Sequence, residues 1–300
     1  MKAFPDSSVF DPLDPATESG HLDAPPRVGF FTDTSLCIGC KACEVACNEW
    51  NEVPGGDRRL LGSSYDNTGA LGANAWRHVV FIEQRVTTEG PSEPVEPAFP
   101  SLSGTDGGGG GIDFRWLMSS DVCKHCTHAA CLDVCPTGSL FRTKFGTVVV
   151  QDDICNGCGY CIPACPYGVI DQREGDGRAW KCTLCYDRLE ADLEPACAKA
   201  CPTDSIQFGE LDDLRARAAA RVEHLHDAGI GQALLYGEDP EDGVGGSAAF
   251  FLLLDRPEVY GLPPDPVVTT RDLPAMWRRA GAAAATMAVG TVIAFLGHRR

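Results

Sequence analysis

The 16 cysteines of this 300-residue chain fall into four groups of four. The third group comprises Cys155, Cys158, Cys161 and Cys165, with the spacing C-x2-C-x2-C-x3-C and Pro166 directly after it. In such a run three closely spaced thiolates hold three irons of one [4Fe–4S] cubane, and the fourth thiolate binds a neighbouring cluster. The run therefore predicts an iron–sulfur site and a second quartet that shares ligands with it.

Three further quartets use all the remaining cysteines: Cys37, Cys40, Cys43 and Cys47; Cys123, Cys126, Cys131 and Cys135; Cys182, Cys185, Cys197 and Cys201. Disulfides stabilise most by closing long loops, which gives no reason for four tight quartets. Zinc sites usually take two cysteines from one loop. The spacing favours four [4Fe–4S] clusters, with a zinc-stabilised scaffold as the alternative of another class. It leaves open which quartets are partners.

The rest of the sequence gives no indication of a catalytic site. The net charge of −17 and the pI of about 4.7 argue against nucleic acid as a partner. We find no nucleophilic triad or cofactor fingerprint, and expect no small-molecule substrate of the chain's own and no catalytic site. We expect His125 and His128 to lie beside a cluster without binding iron. A compact chain of this length is roughly 50 Å across, so four clusters would form a wire whose donor and acceptor lie in other subunits.

Secondary-structure patterns predict an α+β fold of two fused ferredoxin-like units. Residues 28–209 form the four-cluster domain, after an extended arm at 1–27 and before a helix and strand extension with a Pro-rich tether at 210–270. The predicted elements, listed in order, are strands at 28–32 and 76–86, a Gly-rich loop insertion at 87–113, hairpins at 138–151 and 168–181, a strand at 205–208, a helix at 211–225 and a strand at 248–254.

The last segment, 271–300, is predicted to be a membrane-anchor helix. Residues 280–297 carry no charge and would span about 27 Å at 1.5 Å per residue, enough for a thin bilayer core. Trp277 suits the membrane interface, and Gly290 with Ala294 gives a face of small residues for another helix. A buried or interfacial helix is the alternative. Basic residues flank both ends, so the charges do not indicate the orientation.

Several longer motifs resemble one family. FFTDTSLCIGCKACEVACNEWN (30–51), CGYCIPACP, KCTLCYDR (181–188), GVGG, RPEVYGLPPDP and the single C-terminal helix resemble the β subunit of membrane-bound respiratory formate dehydrogenase. More widely, the four quartets resemble the iron–sulfur subunits of molybdenum and tungsten oxidoreductases. The β subunit of a hydrogenase or of another molybdoenzyme reductase is therefore the alternative within the same class.

The resemblance implies that quartets exchange their fourth cysteines, which gives four ligand sets. We call them site I (Cys37, Cys40, Cys43, Cys201), site II (Cys182, Cys185, Cys197, Cys47), site III (Cys123, Cys126, Cys131, Cys165) and site IV (Cys155, Cys158, Cys161, Cys135). It also implies that site I lies nearest a molybdopterin-containing catalytic subunit. Site IV would lie nearest a membrane haem b subunit that reduces quinone. The resemblance implies a single-pass protein of the cell membrane and favours the outer face for the bulk of the chain. A position of the bulk on the cytoplasmic face is the alternative.

Overall fold

The computed structural model describes residues 15–55, 64–87, 112–270 and 273–297. The strands in these ranges are Val28–Asp33 (β1), Arg77–Thr87 (β2), Ile112–Val122 (β3), Leu140–Arg142 (β4), Val148–Val150 (β5), Asp171–Gln172 (β6), Ala179–Trp180 (β7), Ile206–Glu210 (β8), Leu234–Tyr236 (β9) and Ala249–Leu253 (β10). The α-helices are Pro15–Glu18 (α1), Ala42–Trp50 (α2), Ala130–Asp133 (α3), Cys161–Ala164 (α4), Tyr186–Glu190 (α5), Ala196–Lys199 (α6), Leu211–Asp227 (α7) and Leu273–Gly297 (α8).

A four-stranded sheet of order β8-β1-β10-β9 separates two cores. Successive side chains of a strand point to opposite faces. On one face Phe30 packs in a core that includes Cys43 and Cys47. On the other, Phe31 stacks on Phe250 at 5.4 Å and packs against the amphipathic helix α7. The predicted helix at 211–225 is thus confirmed, and it covers the sheet face directed away from these cysteines.

Strand β10 runs parallel to β1 and lies in the centre of this sheet. The extension at 210–270 therefore completes the sheet of the cysteine-containing part. The predicted Pro-rich tether is wrong, because a 3-10 helix at Pro257–Tyr260 folds back and buries Tyr260 and Leu262 against the sheet. The Tyr236 hydroxyl donates a hydrogen bond of 2.5 Å to the Pro263 carbonyl and fixes that segment.

Strands β2 and β3 pair antiparallel from Arg77 opposite Val122 to Thr87 opposite Ile112. The predicted strand at 76–86 is confirmed, but the loop predicted at 87–113 is wrong at its ends, where Thr87, Ile112 and Asp113 belong to strands. Its Gly-rich centre lies outside the described residues. Because β3 ends directly before Cys123, this ribbon delivers the chain into site III.

Two short hairpins follow the second and third quartets, as predicted. Strands β4 and β5 pair after Cys135, and β6 and β7 pair after Cys165. The described part of the N-terminal arm, residues 15–27, packs on the first of these regions: the ring Nε2 of His21 lies 3.0 Å from the Arg142 carbonyl. Residues 1–14 of the arm lie outside the described residues.

Helix α8 contains a stretch, Met276–Leu296, that is long and apolar enough to cross a membrane. Its described side chains are exposed, including Val289, Ile293 and Phe295. An apolar helix that buries none of its surface within its own chain needs another apolar environment. This observation supports the predicted membrane helix over the alternative of a helix buried in this chain.

Candidate iron–sulfur sites

Site I surrounds a cavity beside the sheet. Cys37, Cys40, Cys43 and Cys201 all line it. Helix α2 carries Cys43, and the Ser120 hydroxyl of β3 lies 3.1 Å from its Sγ. The structure thus brings three cysteines of the first quartet together with the last cysteine of the fourth.

Site III surrounds a second cavity, lined by Cys123, Cys126, Cys131 and Cys165. His125 also lines this cavity. Its ring Nδ1 accepts a hydrogen bond from the Val148 backbone N–H, and its buried Nε2 has no hydrogen-bond partner among the described residues. The other predicted neighbour, His128, donates its backbone N–H to the Val244 carbonyl.

The four cysteines of site II are all buried. Burial raises the pKa of Cys47, and the neighbouring thiols of Cys182, Cys197 and Cys185 raise it further. The Asn51 side-chain amide lies 3.7 Å from the Sγ of Cys47 and 3.8 Å from that of Cys185. Packing of α2 against α6 brings these residues together from distant parts of the chain.

Site IV is the least enclosed. Burial raises the pKa of Cys161 to about 11, and the neighbouring Cys155, Cys158 and Cys135 also raise it. The backbone N–H of Ala179 in β7 donates to the Sγ of Cys155 at 3.5 Å. The Thr137 hydroxyl lies 3.6 Å from the Sγ of Cys135. The two hairpins therefore bound this site.

Every quartet begins with the same backbone turn. The residue before its second cysteine has a positive φ: Gly39 (66°), His125 (45°), Gly157 (72°) and Leu184 (57°). Left-handed residues turn successive backbone N–H groups towards one point, which makes an anion-binding concavity of the kind found at Fe–S sites. In the fourth quartet the Leu184 N–H donates to the Cys182 Sγ at 3.2 Å. His125 and Leu184 adopt this conformation without the freedom of glycine, so local strain is accepted to form the turn.

The buried thiols would lose their protons when they bind iron. Burial raises the pKa of Cys43 to about 11 and that of Cys131 to about 12. Such groups stay protonated near neutral pH without a metal, and metal binding displaces the proton because only the thiolate is a ligand. Thiols that converge around cavities and receive N–H donors fit a [4Fe–4S] cluster well.

Zinc and iron–sulfur sites place different demands on the thiolates. Four sulfurs on one zinc ion lie within roughly 4 Å of one another, because each Zn–S bond is about 2.3 Å long. In a cubane each thiolate binds a different iron, so the sulfurs lie farther apart. Among the residues that the structure describes, no group of three His, Cys, Asp or Glu side chains is arranged to hold a single metal ion.

The four sites form a row. Sites I and II are joined by α2, which carries Cys43 and Cys47 one turn apart. Cys123 of site III packs in the same core cluster as Cys47, Cys182 and Cys197 of site II. Cys131 and Cys165 of site III pack in another cluster with Cys135, Cys155 and Cys161 of site IV.

The ends of this row reach the surface. All 16 cysteines lie within the described residues, and two of them are exposed: Cys40 in site I and Cys158 in site IV. Ile38 beside Cys40 is 59% exposed, and Tyr160 beside Cys158 is 62% exposed. The row therefore has two accessible ends and a buried interior.

Arg77 and Lys181, which are buried cations beside the sites, were not singled out by the sequence reasoning. Arg77 at the start of β2 and Lys181 before Cys182 are both at most 2% exposed. Lys181 directly precedes a cysteine and was visible in the motif at 181–188. Nothing in the sequence near Arg77 indicates its position, because it lies far along the chain from the cysteines that it contacts.

Two overlapping parts of the chain, residues 36–139 and 114–211, match family models of a 4Fe-4S dicluster domain. Together they include all 16 cysteines. The prediction of two ferredoxin-like units that hold [4Fe–4S] clusters is therefore confirmed, and the number of four clusters stays a prediction.

The chain is also similar to curated proteins over most of its length. It is 37% identical over 260 residues to the formate dehydrogenase iron-sulfur subunit of Haemophilus influenzae, covering 85% of this chain and 74% of that protein. It is 37% identical over 279 residues to the nitrate-inducible formate dehydrogenase iron-sulfur subunit of Escherichia coli, covering 92% and 84%. Protein NrfC of Escherichia coli is 40% identical over 189 residues, covering 62% of this chain and 67% of that protein.

Proposed function

The chain belongs to the family of formate dehydrogenase iron–sulfur subunits, and we propose from that premise that it relays electrons through four [4Fe–4S] clusters in the order I, II, III, IV. Electron transfer in a formate dehydrogenase is the function that this membership supports. A [4Fe–4S] cluster held by four cysteines supplies outer-sphere transfer of single electrons and offers no open iron to a substrate.

The arrangement of the 16 cysteines carries the proposal. In the proposed assignment each site takes three cysteines of one quartet and the fourth of another, and no cysteine is left over. The cavities lined by the cysteines of sites I and III support it, as do the neighbouring thiols in sites II and IV. The protein's part is to hold these thiolates at fixed positions and to exclude water from the interior of the row. The buried cysteines of site II and the exposed Cys40 and Cys158 support entry at one end and exit at the other.

We infer two partner subunits, one at each exposed end of the row of sites. A molybdopterin-containing subunit that oxidises formate would cover Cys40 and the apolar Ile38. A membrane subunit with haem b would cover Cys158 and Tyr160 and pass the electrons to quinone. Exposed apolar side chains beside the end sites support such docking, and an "iron-sulfur subunit" among the relatives is one part of a larger enzyme.

We infer that α8 anchors this complex as a single membrane span. The length, composition and exposure of Met276–Leu296 support the anchor. We place the bulk of the chain on the outer face of the membrane, following the family resemblance.

A second candidate is the corresponding subunit of a different reductase or of a hydrogenase. The 40% identity to protein NrfC over 189 residues supports it, because that protein is not named as a formate dehydrogenase subunit. That match covers 62% of this chain, whereas the two formate dehydrogenase relatives match 85% and 92%.

Purification of the complex from its native membrane tests the proposal. Formate should reduce its iron–sulfur clusters and then a quinone analogue, and the preparation should contain iron, molybdenum or tungsten, and haem. Reduction by hydrogen but not by formate would establish the second candidate. Colourless protein that contains zinc would contradict both.

A further inference from the structure

Arg77 is a fully buried cation without a carboxylate partner among the described residues. It is 1% exposed, and no described ion pair includes it. Its Nη1 donates to the Ser120 carbonyl at 3.2 Å, and its guanidinium lies 4.9 Å from the centroid of the Phe30 ring. Burying an arginine in this way is costly unless negative charge lies nearby.

Cysteines of two sites lie beside Arg77 and would be negative as cluster-bound thiolates. The Nη2 of Arg77 donates to the Sγ of Cys197 in site II at 3.1 Å. Ser120, whose carbonyl accepts from Arg77, also places its hydroxyl 3.1 Å from the Sγ of Cys43 in site I. Arg77 therefore lies where sites I and II meet. Burial opposes the charge of Arg77, yet Cys197 and Cys43 raise its pKa.

Lys181 occupies the corresponding place between sites II and III. It is 2% exposed, and its Nζ donates to the carbonyls of Val148 at 2.5 Å and Cys182 at 2.8 Å. It lines the site III cavity, and its charge acts on Cys131 in site III as well as on Cys182 in site II. No carboxylate among the described residues forms an ion pair with it.

A third buried cation beside the sites, Lys124, has a carboxylate partner. Lys124 is equally buried and lies between Cys123 and Cys126, but its Nζ contacts the carboxylate of Asp121. The field of that pair is largely cancelled within the protein. Arg77 and Lys181 therefore differ from Lys124 in leaving a full positive charge at the junctions of the row.

We propose that Arg77 and Lys181 are potential-setting residues: Arg77 raises the reduction potentials of the clusters at sites I and II, and Lys181 those at sites II and III. The inference rests on the proposed four-cluster relay. A cluster with four thiolates carries net negative charge, and its reduction adds one electron. A fixed cation or an N–H···S hydrogen bond favours the reduced form. No covalent bond forms or breaks in the transfer.

Redox titration of the purified complex, followed by EPR, tests this. Arg77→Met and Lys181→Met are compared with wild type after iron content has been matched. Each should lower the reduction potentials of two clusters by at least 59 mV, which corresponds to a tenfold change in the equilibrium constant for one-electron reduction. One cluster, at site II, should respond to both variants, and one, at site IV, to neither. Arg77→Lys should retain most of the wild-type potential at both sites.

The matched control is Arg115→Met. Arg115 donates to the Leu254 carbonyl at 2.6 Å and pairs with Asp255, away from every cysteine, so its loss should shift no potential. Unshifted potentials in Arg77→Met and Lys181→Met with iron retained would overturn the inference, as would an equal shift in Arg115→Met. Should Arg77→Met lose iron, the neutral Arg77→Gln replaces it, and Lys181→Met tests the same rule at the second junction. A wild-type complex without four reducible clusters would instead refute the proposed function.

Discussion

Cys43 and Cys47 lie one turn apart in α2, yet they face different sites: Cys43 lines the site I cavity, whereas Cys47 lies among the thiols of site II. Residues four apart on a helix have Cβ atoms about 6 Å apart. A single helical turn therefore fixes the separation between the first two sites. No flexible segment intervenes, so the distance that an electron must cross is set by backbone hydrogen bonds.

Replacement of Cys158 by serine should interrupt the relay at its exit. Cys158 is the exposed cysteine of site IV, and its loss damages the cluster proposed to face the membrane subunit. Formate-dependent quinone reduction should fall at least tenfold, while formate still reduces an artificial dye at the catalytic subunit. The control is Tyr160→Phe, which alters the same exposed loop without removing a thiol. Quinone reduction at the wild-type rate in Cys158→Ser would refute the proposed position of site IV.

A charge in the centre of the apolar helix should weaken the anchor. Val289, near the middle of the apolar stretch of α8, is 58% exposed, so aspartate there would be tolerated in a helix that faces water. In a bilayer it costs roughly 3 kcal/mol. Val289→Asp should therefore release complex from membranes or from the membrane subunit, as measured by fractionation, whereas Val289→Leu should not. Equal membrane retention of both variants would contradict the anchor.

The number of iron atoms bound by this chain should equal the number of its cysteines. Four [4Fe–4S] clusters need one iron for each of the 16 cysteines. Anaerobic removal of iron by a chelator should abolish the visible absorbance and greatly increase proteolysis of the 28–209 region, because buried thiols then lose the ligand that joins them. A preparation that resists iron chelation and contains one zinc per site would restore the scaffold hypothesis.

Glu44 should stabilise the junction between α2 and β2. Its carboxylate is buried and accepts hydrogen bonds from the Val79 backbone N–H at 2.6 Å and the Thr68 hydroxyl at 2.7 Å. Glu44→Ala leaves that N–H unsatisfied, at a cost of about 1–3 kcal/mol. Thermal inactivation of the complex should shift to lower temperature. Glu49→Ala on the exposed face of the same helix is the control and should leave it unchanged.

Local sequence patterns predicted the elements that surround the quartets. The hairpins after Cys135 and Cys165, helix α7 and the C-terminal helix all follow from periodicity and turn residues that lie within a few positions of one another. They were predicted because the backbone hydrogen bonds that form each element join residues close in sequence. The match of 36–139 and 114–211 to dicluster domains agrees with the ligand spacing.

Long-range features were not predicted. Strand β3 pairs with β2 across residues 88–111, and β10 enters the centre of the sheet beside β1, although no local pattern encodes either pairing. The position of Arg77 depends on the first of these. Spacing predicted that a fourth cysteine binds a neighbouring cluster, but it did not decide which quartets are partners, because similar quartets can be paired in several ways. The pairing came from the family resemblance. The ligand assignment stays a prediction that cysteine variants must test.

Interruption of the relay at its buried centre tests the central claim most directly. In a complex carrying Cys185→Ala, formate should still reduce the site I cluster, while the clusters at sites III and IV stay oxidised in EPR spectra recorded during turnover. Dithionite should then reduce the clusters at sites III and IV, which proves that they are present. Reduction of sites III and IV by formate at the wild-type rate would contradict a linear relay through sites I to IV.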